Sequence, residues 1–190
     1  MNKPKIQVIL GSIREGRAGE QVAQWAMEAL KDNQNVELEL VDLADYPMPL
    51  YADSNETKNR DGAHPDPVVQ KWIEKISQAD GYIIITAEYN HSYTSGLKNA
   101  LDYADKALYE KPVGFIGYGG AAGGSRAIEH LRQVITELHM YSVRDQVVIP
   151  AIWAAFDEQG NLTNSQAYAK TANAIADKVS DLATKLRVIV

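Results

Sequence analysis

The chain of 190 residues has no cysteine, only two phenylalanines and no apolar run approaching membrane-spanning length. Without cysteine it can build no disulfide, no thiolate nucleophile and no Cys-ligated metal centre. Positive charge is not in excess either: 19 lysines and arginines face 25 aspartates and glutamates, a formal net charge of −6. A nucleic-acid binder usually presents a basic face, so this balance argues against that class. His64, His91, His130 and His139 show no ligand spacing within one element, so no metal site is expected from them. Ser12, Ser92 and Ser95 do not sit in the GxSxG turn that exposes a hydrolase nucleophile. The opening residues, Met1-Asn-Lys-Pro-Lys5, carry no signal-peptide segment, and a soluble cytoplasmic protein without a membrane partner is expected.

What is present is enough for a core. Hydrophobic residues make up 45% of the chain, and one domain over residues 1–190 is expected. Apolar stretches at Ile6–Leu10, Val36–Val41, Gly81–Thr86, Val113–Gly117 and Val143–Ile149 are mostly continuous, as in parallel strands covered on both faces. Between them run helical stripes: Val22, Ala26, Ala29 and Leu30; Val69, Trp72 and Ile76; Leu97, Leu101, Ala104 and Leu108; Ile128, Leu131, Ile135 and Leu138. Thr171, Ile175, Val179, Leu182 and Leu186 make the last. Five such units with right-handed crossovers predict a three-layer doubly wound α/β fold. With five parallel strands the order 2-1-3-4-5, flavodoxin-like, is the natural choice. One long irregular stretch, Pro47 to Pro67, holds four of the seven prolines, and a functional or oligomer-contact role is expected of it.

Three unusual segments follow strands 1, 3 and 4, and the topology brings all three to the carboxyl edge of the sheet, where the strand order reverses. The first, Gly11-Ser-Ile-Arg-Glu-Gly-Arg17, combines a tight turn, the Ser12 hydroxyl and the guanidinium groups of Arg14 and Arg17 just before a helix. Forked cations and the positive end of a helix suit phosphate oxygens. Neither GxGxxG nor GxxxxGK[ST] is present, so a monophosphate on a small cofactor is expected rather than a pyrophosphate. The second, Ala87-Glu-Tyr-Asn-His-Ser-Tyr93, offers aromatic and amide groups to a planar ring. The third, Tyr118-Gly-Gly-Ala-Ala-Gly-Gly124, lets backbone approach such a ring closely. A phosphorylated planar heterocycle in this fold is FMN.

Together these motifs resemble the NAD(P)H-dependent FMN reductases, a flavodoxin-like family that includes quinone, chromate and azo reductases. The resemblance spans residues 5 to 150 and also rests on Val41-Asp-Leu-Ala-Asp-Tyr-Pro47 and Gly96-Leu-Lys-Asn-Ala-Leu-Asp102. It implies that Ser12, Arg14 and Arg17 hold the FMN phosphate. Glu88, Tyr89, Asn90 and His91 would run beside the isoalloxazine and ribityl chain, and Tyr118, Gly119 and Gly120 would approach the pyrimidine end. The family's usual prolines are replaced by Ala87 and Ser95, which predicts a less rigid flavin loop. Lys98, Asn99 and Asp102 are expected to cap and pack.

The activity implied is hydride transfer from NADPH or NADH through FMN to a small-molecule acceptor, with no catalytic side chain required. An FMN electron carrier without nicotinamide activity is the alternative; the Ser/Arg loop and modest charge favour the reductase. The family further implies a homodimer or homotetramer, with the aromatic segments Tyr103–Tyr109 and Tyr46–Tyr51 expected at the contact.

Overall fold

The protein is described by a computed structural model over residues 3–54, 59–60 and 62–187. Strands β1 (Lys5–Leu10), β2 (Glu37–Asp42), β3 (Gly81–Ala87), β4 (Pro112–Tyr118) and β5 (Tyr141–Ile149) form one sheet in the order β2-β1-β3-β4-β5. All four strand pairs are parallel. Helices α1 (Gly19–Leu30), α2 (Pro67–Ser77), α3 (Ser95–Ala104), α4 (Ser125–Glu137) and α5 (Ser165–Leu186) connect or follow the strands. The three-layer doubly wound fold and its strand order are therefore as the alternating pattern implies.

Alternation along the strands divides the core between the two faces of the sheet. Ile6, Val8, Leu10, Ile83 and Ile85 pack under α1 and α5, whereas Ile9, Tyr82, Ile84 and Phe115 pack under α2, α3 and α4. The central strands β3 and β4 are buried throughout, while β5, at an edge, alternates between buried and exposed positions. Two helices differ from their expected stripes. The α3 stripe stops at Ala104, because Asp105 takes φ +36° and a 3-10 turn carries Leu108 instead. In α5 the buried line runs through Ala172, Ile175, Ala176, Val179 and Ala183, small residues that let the helix lie close to the sheet.

Local caps set where the helices begin. The Asp66 carboxylate accepts from the N–H groups of Val68 and Val69, with Pro67 at the first helical position of α2. Thr94 caps α3 by accepting from Leu97 N–H and donates to the Gly11 carbonyl, which ties the loop after β3 to the loop after β1. Ala18, at the same position of α1, has no side chain able to cap.

Part of the Pro47–Pro67 stretch, residues 55–58 and 61, lies outside the described residues. The remainder is fastened to the body. The Asn99 side chain accepts from Tyr51 N–H at 2.7 Å and donates to the Pro49 carbonyl at 2.8 Å. Further along, Asp53 holds both Arg60 and the buried His64, at 2.9 and 2.8 Å. Since His64 Nδ1 accepts from Asp66 N–H at 3.0 Å, its Nε2 is the nitrogen left to donate to Asp53.

Candidate active site

The segments that follow β1, β3 and β4 meet over the carboxyl edge of the sheet. Arg14, Arg17 and Ala18 from the first, Ala87, Glu88 and Tyr89 from the second, and Tyr118, Gly119 and Gly120 from the third line one cavity. Ile152, from the turn after β5, completes the lining. Seven of the ten residues singled out in the sequence thus share one cavity wall. A larger groove of about 700 Å³ runs along the far flank of α1, past Gln24, Trp25 and Leu40, and contains no residue of the three loops.

The remaining three stand at its margin. Ser12 is fully buried, and its hydroxyl pairs with the Tyr89 hydroxyl at 2.9 Å. Asn90 and His91 form the exposed tip of a hairpin closed by Tyr89 N–H to Ser92 C=O (2.8 Å) and the reverse bond (3.0 Å). Their φ angles, +49° and +69°, are the pair that a type I′ turn demands. These bonds order the loop although Ala87 and Ser95 stand where prolines are usual.

The two arginines of the first loop are in opposite situations. Arg17 is buried, and its guanidinium bonds the Asp42 carboxylate, the Ser12 carbonyl and, at 3.2 Å, Glu20. Burial alone would lower its pKa, but the two carboxylates outweigh it and raise the pKa above its ordinary value. Arg14 is exposed, makes no ion pair among the described residues, and lies over the Tyr89 ring at 5.6 Å from its centroid.

Glu88, in the cavity wall, is bonded to the start of α4. Its carboxylate takes the Arg126 guanidinium at 2.6 Å and the Arg126 N–H at 3.3 Å, so it caps α4 from another loop. Helix α4 has no cap of its own, because Gly124 precedes it with φ +92°. A Cβ on Gly124 would also lie 2.5 Å from Tyr118 N, so both φ and space require glycine there. The loop Gly119–Gly124 is pinned to the end of β5 by Gly119 N–H to Ile149 C=O, at 3.2 Å. Ala151 and Ile152 donate back to the carbonyls of Gly120 and Gly119, both at 3.0 Å.

Asp42, Gly19, Arg126 and Ile152 were not singled out in the sequence. Asp42 had a signal, an acid at the carboxyl end of β2 beside the phosphate-type loop. Ile152 had none, since nothing local marks a fourth loop that folds back on the glycines.

This arrangement can hold a phosphorylated planar cofactor. Among the described residues, the first turn of α1 is without a side-chain cap, Arg14 has no carboxylate partner, and the buried Tyr118 hydroxyl has no hydrogen-bond partner. Comparison with known proteins agrees. Residues 4–154 match the family model for NADPH-dependent FMN reductase. The chain belongs to that family. Its members are oxidoreductases that use FMN with NAD(P)H. The chain is 33% identical over 170 residues to an NAD(P)H:quinone oxidoreductase of Solanum tuberosum, covering 85% of this chain and 84% of that one. It is 36% identical over 124 residues to an NAD(P)H-dependent FMN reductase of Schizosaccharomyces pombe, covering 65% of this chain and 62% of the relative. In fold it is similar to the flavoenzyme NAD(P)H:(acceptor) oxidoreductase FerB of Paracoccus denitrificans, with TM-score 0.73, 21% identity and coverage of 96% and 98%. Among the described residues no helix is long and apolar enough to cross a membrane.

Proposed function

We propose that this chain reduces small acceptors, of the quinone, flavin, azo or metal-ion kind, at the expense of NADPH or NADH. The observation that carries this reading is the single cavity shared by the Ser/Arg loop, the Tyr89 loop and the glycine loop. Bound FMN supplies the redox chemistry, taking a hydride from the nicotinamide and passing reducing equivalents to the acceptor. The chain's own contribution is binding and orientation. Arg14 and the N–H groups opening α1 would offer charge and donors to the phosphate, and the backbone at Gly119 and Gly120 would leave room for the ring. Tyr89, held between Ser12 and Arg14, sets the position of the ribityl and ring region. Glu88 is held by Arg126, and Arg17 by Asp42, so both stiffen the loops that line the cavity.

A second copy of the chain is the proposed cover for the open side, as a homodimer or homotetramer. Within the segments expected at that contact, Tyr46 and Tyr103 themselves pack inside the chain, Tyr46 against Trp72 and Tyr103 against Tyr51 and His64. The most exposed large apolar side chains among the described residues are Leu50, Trp153 and Ile13, at 82%, 78% and 55%, and these are the candidates for the contact, Leu50 within the expected Tyr46–Tyr51 segment.

The deciding experiment is to add NADPH to the yellow holoprotein without oxygen. Loss of the flavin colour, restored by a quinone, is expected. A flavin that stays oxidised would leave an electron carrier rather than a reductase.

A further inference from the structure

Tyr118 ends β4, and its backbone opens the glycine loop, but its side chain travels to the other end of the cavity. The hydroxyl lies under the first residue of α1, where a Cβ added to Gly19 would sit 2.5 Å from it. The residue is 4% exposed, and the hydroxyl has no hydrogen-bond partner among the described residues. The Ser12 hydroxyl pairs with that of Tyr89 at 2.9 Å rather than with Tyr118.

Leaving a buried hydroxyl unpaired is costly, and phenylalanine would fill the same volume without that penalty. The hydroxyl therefore requires a reason other than packing. Around it stand the features of an anion site: an α1 N-terminus whose Ala18 offers no cap, and the exposed Arg14. Burial pushes the Tyr118 pKa up to about 12, so the group remains a protonated donor at neutral pH.

We propose that Tyr118 is a phosphate-specificity residue, its hydroxyl donating to the terminal phosphate of FMN at the N-terminus of α1. The proposal rests on the FMN reading and moves Tyr118 from the pyrimidine end, where the family resemblance puts it, to the phosphate end. The glycine at position 19 then has a function as well. Any side chain there would push the hydroxyl off its place.

The test compares FMN with riboflavin, which lacks the phosphate, by flavin-fluorescence titration of the apoprotein. For Tyr118→Phe, FMN binding is expected to weaken about tenfold or more, with riboflavin affinity unchanged. The urea midpoint of the apoprotein is expected to hold or rise, because the unpaired hydroxyl is gone. Equal losses for both flavins would return Tyr118 to the ring end, and an unchanged FMN affinity would remove it from the site. If the variant does not fold, the wild-type apoprotein with ¹³C-labelled tyrosine is titrated with inorganic phosphate. The Tyr118 ring resonance, assigned separately from that of Tyr89 beside Arg14, is expected to shift, and phosphate binding that leaves it in place would overturn the assignment. A wild-type protein that binds no flavin would defeat the functional reading alone, and the phosphate titration would still decide the role of Tyr118.

Discussion

Arg17 is bonded to Asp42 across two strands of the sheet, the loop after β1 reaching the end of β2. Its other bonds go to Glu20 and to the Ser12 carbonyl, so this cation holds the phosphate-type loop in shape. Arg14, unpaired and exposed, is the cation left for an incoming anion. The two arginines of one short motif thus divide structure from binding.

That division predicts contrasting mutants. Arg14→Ala should weaken FMN binding by about 1.5–3 kcal/mol, the scale of a hydrogen bond to a charged group, and leave apoprotein stability within about 0.5 kcal/mol. Arg17→Ala should destabilise the apoprotein by about 1–3 kcal/mol, because it strands Asp42 and a buried carbonyl. Urea unfolding of both apoproteins, beside FMN titrations, reads the difference. Equal stability losses in the two variants would contradict the division.

Glu88 and Arg126 couple the loop after β3 to the start of α4. Glu88→Gln and Arg126→Ala should each cost about 1–2 kcal/mol of apoprotein stability, through the lost cap and ion pair. The double variant should cost clearly less than the sum, since both remove one interaction. Additive losses in a denaturation cycle would mean that the two side chains act separately.

At the hairpin tip, backbone and side chain must be tested apart. Asn90 has φ +49°, which alanine tolerates poorly, so Asn90→Ala should lower apoprotein stability by about 1 kcal/mol whatever the amide does. Asn90→Gly keeps the turn and removes only the amide. Slower flavin reduction with normal apoprotein melting in Asn90→Gly would assign the amide to the flavin. Normal kinetics in that variant would make Asn90 a turn residue.

A fourth expectation concerns acid. Burial pushes the Glu39 carboxyl upward, but hydrogen bonds from Lys75, Gln7 and Lys5 outweigh it and hold its pKa at about 2, below the ordinary 4.5. A depressed carboxyl pKa stabilises the fold above its unfolded value, so this contribution is complete above pH 4.5 and fades as pH falls towards 2. With solvent screening it is on the order of 1–2 kcal/mol. Glu39→Gln should therefore be less stable than wild type at pH 7 and close to it near pH 2, by urea midpoints. A gap independent of pH would show that the group contributes packing rather than charge.

The sequence by itself determined the fold and the place of the site. Continuous apolar runs at β1, β3 and β4 can only be strands covered on both faces. The stripes at Val22–Leu30 and Ile128–Ile135 can only be helices lying on them, because side-chain period follows backbone geometry. Once the strand order follows, the three odd loops must share one edge. The tertiary structure alone decided what each polar side chain there does. Arg17 finds Asp42 25 residues away, Glu88 finds Arg126 at a separation of 38, and the Tyr118 hydroxyl reaches Gly19 from a strand two places along the same face of the sheet. Local sequence states which groups are present, but it does not say which way they point. A hydrogen-bond partner is fixed by which loops the sheet sets side by side, and that distance is not written in the spacing of the residues.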